Sequence, residues 1–78
     1  MNYQQTKELY EIVNRVVSET PKHKFSKTVR GLQLDKLEFI FSTNKDVKDD
    51  NYIVVKGKTD HCIRSQSIRQ KLLNIYNS

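Results

Sequence analysis

A single cysteine, Cys62, leaves this 78-residue chain without an internal disulfide, so its fold has to be held by packed apolar side chains alone. That is demanding at this length, because a domain so short buries only roughly 60–65% of its unfolded surface. Only 36% of the residues are apolar and 29% are charged, a thin supply for a core. They nevertheless fall in patterned blocks between polar segments, as in a folded chain rather than a disordered one. One core, and so one domain over residues 1–78, is expected. A small secreted domain with so thin a core usually carries two or more bridges, so the lone thiol points to a reducing, cytoplasmic setting. The opening residues, MNYQQTKELYEIV, lack the basic stretch and apolar core of a secretory signal. The longest apolar runs, Phe39-Ile40-Phe41 and Ile53-Val54-Val55, fall far short of the ~20 residues of a membrane span, so no membrane partner is expected.

The period of the apolar residues changes along the chain. Leu9, Ile12, Val13, Val16 and Val17 recur at three- and four-residue spacing, which predicts an amphipathic helix over residues 2–20. Asn2 with Gln5 forms a candidate capping pair, Thr6 is a second candidate start, and Pro21 ends the helix. Residues 24–34, KFSKTVRGLQL, make a poor helical stripe. As a strand, a bulge at Gly31 would bring Phe25, Val29, Leu32 and Leu34 to one face. LEFIFST at 37–43 and YIVVK at 52–56 flank a polar loop and predict a hairpin. Phe39, Phe41, Ile53 and Val55 would form its core side, with Ile40, Tyr52 and Val54 on the opposite face. Residues 57–66 read as a loop that could hold a fourth short strand at His61–Arg64. Ser67 and Gln70 form a capping box for a last helix carrying Ile68, Leu72, Ile75 and Tyr76, with a start as early as Ser65 open. The predicted fold is α+β: a two-layer sandwich in the order α-β-β-β-α, with two helices on one face of a small antiparallel sheet.

Motifs for chemistry are few. Asp60-His61-Cys62 gathers an acid, an imidazole and a thiol, but neighbouring residues of an extended segment point to opposite faces, so His61 and Cys62 would not meet as base and nucleophile. His23, His61 and Cys62 match no zinc-ligand spacing. Gly57-Lys58-Thr59 ends like a phosphate loop, yet Tyr52 and Ile53 stand where its upstream glycine belongs. No metal, cofactor or catalytic residue is expected. The charge is more informative. Of the net +5, the excess lies in two blocks: Lys22, Lys24, Lys27 and Arg30, then Lys56, Lys58, Arg64, Arg69 and Lys71, with Asp60 the single acid among them. Lys56 and Lys58 are expected near the start of the last helix, where free amides and cations would suit a phosphate. Tyr52 on the outer sheet face could stack a base.

The α-β-β-β-α order resembles the double-stranded-RNA-binding fold and the related small messenger-RNA interferase toxins. Ile53-Val54-Val55 followed by His61 and a short helix is similar to the end of such toxins, a likeness confined to about the last 28 residues. The Gly-Ser-His segment of the toxins has no counterpart, since Leu34-Asp-Lys-Leu-Glu38 stands there. The resemblance therefore implies a fold and does not carry nuclease activity.

The expectation is binding rather than catalysis: a small basic nucleic-acid-binding or regulatory protein that contacts the phosphate backbone of DNA or RNA through the two basic blocks. The alternative is a protein–protein module, a small inhibitor or adaptor of the kind found on mobile elements, meeting an acidic protein partner or a second copy of itself through Ile40, Tyr52 and Val54.

Overall fold

A computed structural model describes residues 3–78. The chain runs α1 (Tyr3–Glu19), a 3-10 turn (Lys22–Lys24), β1 (Ser26–Lys27), β2 (Gly31–Leu34), β3 (Leu37–Thr43), β4 (Asn51–Lys56), β5 (Asp60–Ile63) and α2 (Gln66–Tyr76). The strands form one antiparallel meander in sequence order. Both helices pack on the face that carries Phe39, Ile53 and Val55, so the α+β two-layer sandwich is present. The strand count is five rather than three. Residues 60–63 supply one addition and residues 24–34 the other.

The second difference has a local cause. Thr28 and Gly31 close a tight turn: the Thr28 amide donates to the Gly31 carbonyl at 2.8 Å, and the Gly31 amide donates to Thr28 Oγ1 at 3.0 Å. The chain therefore reverses at Val29-Arg30 instead of bulging, which splits the segment into β1 and β2. Phe25 is buried against Phe39, with ring centroids 6.2 Å apart, while Val29 stands fully exposed at the tip. The predicted shared face of Phe25, Val29, Leu32 and Leu34 thus loses Val29. Glycine is required at 31 because a Cβ there would lie 2.0 Å from the Phe39 carbonyl oxygen of the neighbouring strand. A second tight turn follows at Asp35-Lys36, where Asp35 has a φ of 52°.

The predicted α1 stripe is only partly buried. Val13 and Val17 reach the core, Val16 is half-buried and Ile12 is 56% exposed. The capping role of Asn2 lies outside the described residues, and Thr6 stands inside the helix. The end falls where Pro21 demands it, with the Thr20 amide still donating to the Val16 carbonyl. At α2 the cap is Ser65 rather than Ser67: its hydroxyl accepts the Ile68 amide at 3.3 Å, and Gln70 turns to Asn74 instead. Only Arg64 separates Ser65 from the end of β5, so helix and strand need no longer linker. The core itself is one cluster joining Val13, Val17, Phe25, Leu32, Phe39, Ile53, Val55, Ile63, Ile68 and Leu72.

The helices run side by side in the same sense. Tyr3, Tyr10 and Asn14 share a groove with Ser65, Ser67 and Ile68 near both N-termini. Val17, Ser18 and Thr20 share another with Lys71, Asn74 and Ile75 near both C-termini. Lys71 stitches the pair, donating to Asn14 Oδ1 at 2.6 Å and Ser18 Oγ at 3.0 Å.

Candidate nucleic-acid interface

The fold separates the nine predicted basic residues into groups with different surroundings. Arg30, Lys56 and Arg64 belong to the open face of the sheet, opposite the helices, and each meets a carboxylate. Arg30 lies 3.2 Å from Glu38, Lys56 lies 3.9 Å from Asp60, and Arg64 lies 3.3 Å from Asp50. The register explains the second, since Lys56 pairs with Asp60 across neighbouring strands, and it sets Glu38, which Arg30 reaches from the preceding turn, opposite Lys56. Together they make a row of alternating sign, which cancels locally and offers a polyanion little attraction.

Lys22, Lys24, Lys27 and Lys71 are placed differently. Lys22 and Lys24 flank the exposed His23 in the 3-10 turn that follows α1. Lys22 and Lys71 line the same groove of about 350 Å³, and Lys27 on β1 sets its ammonium 5.3 Å from the ring centroid of Tyr76, the neighbour of the groove residue Ile75. Among the described residues none of these four forms an ion pair. Two helix C-termini meet here, and each carries roughly half a negative charge, which suits lysine. Glu19 in the last turn of α1 and Asp35 share a groove with Lys24, so the four lysines outnumber the carboxylates beside them without being free of them.

The other two basic residues stand apart. Lys58 is exposed in the β4–β5 turn, and Arg69 is half-buried with its Nε enclosed and lacking a hydrogen-bond partner. Lys56 and Lys58 do not approach the N-terminus of α2. Strand β5 lies between them, with the turn at its Asp60 end and Ser65 beyond Ile63. The predicted phosphate site of strand lysines and helix amides is therefore not assembled.

The open face has an apolar centre. Ile40 pairs with Gly31 on one side and Val54 on the other, and Val54 pairs with Cys62, giving one row across four strands. Neither helix contributes to this face. Ile40 is nevertheless only 8% exposed, so it is not the open apolar side chain expected, whereas Val54 and Tyr52 are half-buried. Arg64 lies over Tyr52, 4.8 Å from its ring centroid, which occupies the surface a stacking base would need. The same guanidinium donates to Asp50 and to Cys62 Sγ at 3.2 Å. Its hydrogen bond, aided by one from Asn44, holds the Asp50 carboxyl below the ordinary 3.8, and Asp50 in turn raises the Arg64 pKa.

His61 and Cys62 occupy opposite faces, as alternation requires. His61 pairs with the core residue Val55 and contacts Thr59 Oγ1 at 2.8 Å, while Cys62 pairs with Val54 on the open face. Sequence reasoning missed the charge pairing because Arg30 and Glu38 meet only once two hairpins have formed. It missed the lysine cluster because Lys22 and Lys71 meet only once the helices align. No family model, curated protein or solved structure matches the chain.

Proposed function

We propose that the protein is a small nucleic-acid-binding domain, acting by binding rather than catalysis, that grips phosphate backbone with Lys22, Lys24, Lys27 and Lys71. The observation that carries this reading is the contrast in charge pairing: among the described residues these four lysines form no ion pair, although Lys24 shares a groove with Glu19 and Asp35, while Arg30, Lys56 and Arg64 are each paired. Binding of this kind reads backbone rather than bases, so it has little sequence preference and a steep salt dependence from counterion release. The test is fluorescence anisotropy with labelled duplex DNA and RNA across a salt series. Replacing Lys22, Lys24 and Lys27 with Gln should weaken binding and flatten the log–log salt slope by up to about three units. Replacing Arg30 and Lys56 with Gln, or Lys45 and Lys48 among Asp46, Asp49 and Asp50, should change it little. Absence of binding at low salt, or equal losses in all three variants, refutes the assignment.

A second reading, a protein partner on the open face, is supported by the row of Ile40, Val54 and Cys62 that no helix covers. Such a partner would be lost with Val54→Glu and retained by the triple lysine variant.

A further inference from the structure

The meander has two edges, and they are unequal. β1 is two residues long, whereas β5 presents four residues ending at the start of α2. The hydrogen-bond phase identifies what the β5 edge exposes. The Phe41 amide donates to the Arg30 carbonyl at 3.1 Å, so the odd-numbered residues of β3 bond toward β2 and the even-numbered ones toward β4. Carried through the register, Ile53 and Val55 bond toward β5, and His61 and Ile63 bond back. Asp60 and Cys62 are left with backbone groups aimed off the edge. The Arg64 amide, in the same phase, is already taken by the Tyr10 hydroxyl at 3.1 Å.

An unpaired edge of this kind is a template for another strand, and its side chains state which one. Asp60 and Arg64 stand two residues to either side of Cys62, with opposite charges and side chains more than half exposed. We propose that β5 is the seat of a two-fold homodimer, in which the β5 strands of two copies pair antiparallel about Cys62. In that register Cys62 exchanges both backbone hydrogen bonds with the partner's Cys62, and Asp60 faces the partner's Arg64 at both ends. The strand is self-complementary in charge only in this alignment: slipping it by two residues sets Asp60 against the partner's Cys62 and Arg64 against the partner's Lys58. The pairing also joins the two apolar rows, since Val54 and Cys62 of one copy run directly into Cys62 and Val54 of the other, extending a surface each copy leaves half open.

The experiment is a charge swap read by analytical ultracentrifugation over a concentration series. The native chain should show a monomer–dimer equilibrium. Asp60→Arg alone and Arg64→Asp alone should each weaken it at least about tenfold, because both variants set like charges opposite each other at two positions. Mixed one to one, the two variants should recover a dimer near native strength, as every opposed pair is again of opposite sign. Circular dichroism melts of both variants show whether each is folded. Should Arg64→Asp fail to fold, mild oxidation decides the matter. Cys62 should cross-link native chains, since a hydrogen-bonded antiparallel pair places its Cα atoms about 5.5 Å apart, within disulfide reach. Thr59→Cys combined with Cys62→Ser, which moves the thiol into the adjoining turn, should not cross-link. A native chain that stays monomeric at millimolar concentration, a mixture no more dimeric than its components, or equal cross-linking of both thiol positions overturns the proposal.

Discussion

On the open face of the sheet Arg30, Lys56 and Arg64 each form an ion pair with a carboxylate, whereas Lys22, Lys24, Lys27 and Lys71, toward the helix C-termini, form none among the described residues. The two regions draw on both basic blocks of the sequence, so a block in the chain is not a patch on the surface. Lys27 and Arg30 are three residues apart, yet the turn at Val29-Arg30 sends one toward Tyr76 and the other toward Glu38. The faces differ in packing as well as charge. On the helix side aromatic rings interlock, with Phe41 edge-on to Tyr76 at 5.5 Å, and burial there involves both layers. The open side buries Ile40 with sheet neighbours alone.

The largest effect should come from a charge placed on the helix side. Val17 is 4% exposed inside the core, and Val17→Asp would strand a carboxylate there without a partner. A loss above about 4 kcal/mol is expected, comparable with the whole stability of a domain this size, so the variant should lack a cooperative melt. Val16→Asp is the informative neighbour. Val16 is half-buried beside an open groove that holds both cations, Arg15 and Lys24, and carboxylates, Glu19 and Asp35, so a new carboxylate there can turn to solvent and that variant should remain folded. If both variants unfold, the inner face of α1 is wider than the burial indicates.

A pair of identical substitutions compares the faces directly. Ile53 is 0% exposed on the helix side and Ile40 is 8% exposed on the open side, so area alone assigns them nearly equal value. The cost of a cavity also depends on how far the surroundings can close over it. Ile53→Ala should therefore cost about 4 kcal/mol and Ile40→Ala about 2 kcal/mol, measured by urea unfolding. Equal costs would mean the open face is as rigidly packed as the core, which would remove its claim to be a binding surface.

These comparisons also show what was legible in the sequence. The periodicity of Leu9 to Val17 and of Ile68 to Tyr76 identified both helices, and alternation in LEFIFST (37–43) and YIVVK (52–56) gave the central hairpin and its core side. Segments of that kind report their own burial. The segment around Gly31 does not, because its turn depends on a threonine hydroxyl capturing an amide three residues on, which leaves the same apolar pattern as a bulged strand. Ile40 was assigned to the right face, but its burial depends on how Gly31 and Val54 flank it. The lysine cluster needed the parallel alignment of the helices, a tertiary fact with no local signature.

The smallest effect should come from titrating the open face. Arg64 and Asn44 hold Asp50 below its ordinary value of 3.8, and both members of the ion pair lie at the surface, where solvent screens the interaction. A carboxyl with a depressed folded-state pKa contributes stability that is complete above its unfolded value and is lost as pH falls through the folded one. The pair should therefore support the fold at neutral pH and cease to do so only on strong acidification. Arg64→Gln removes the main cause of the depression and returns Asp50 toward its ordinary value. Its urea midpoint should lie slightly below the native one at pH 7, and the two should converge as pH drops below 3.8, since the variant has less to lose there. Because Arg64 also covers Tyr52, some of the loss at pH 7 comes from that cation–π contact, which does not titrate in this range. The pH-dependent part of the difference isolates the ion pair. If the difference stays constant down to pH 2, packing on Tyr52 rather than charge pairing is what Arg64 contributes to the open face, and the contrast with the unpaired lysines loses one of its three examples.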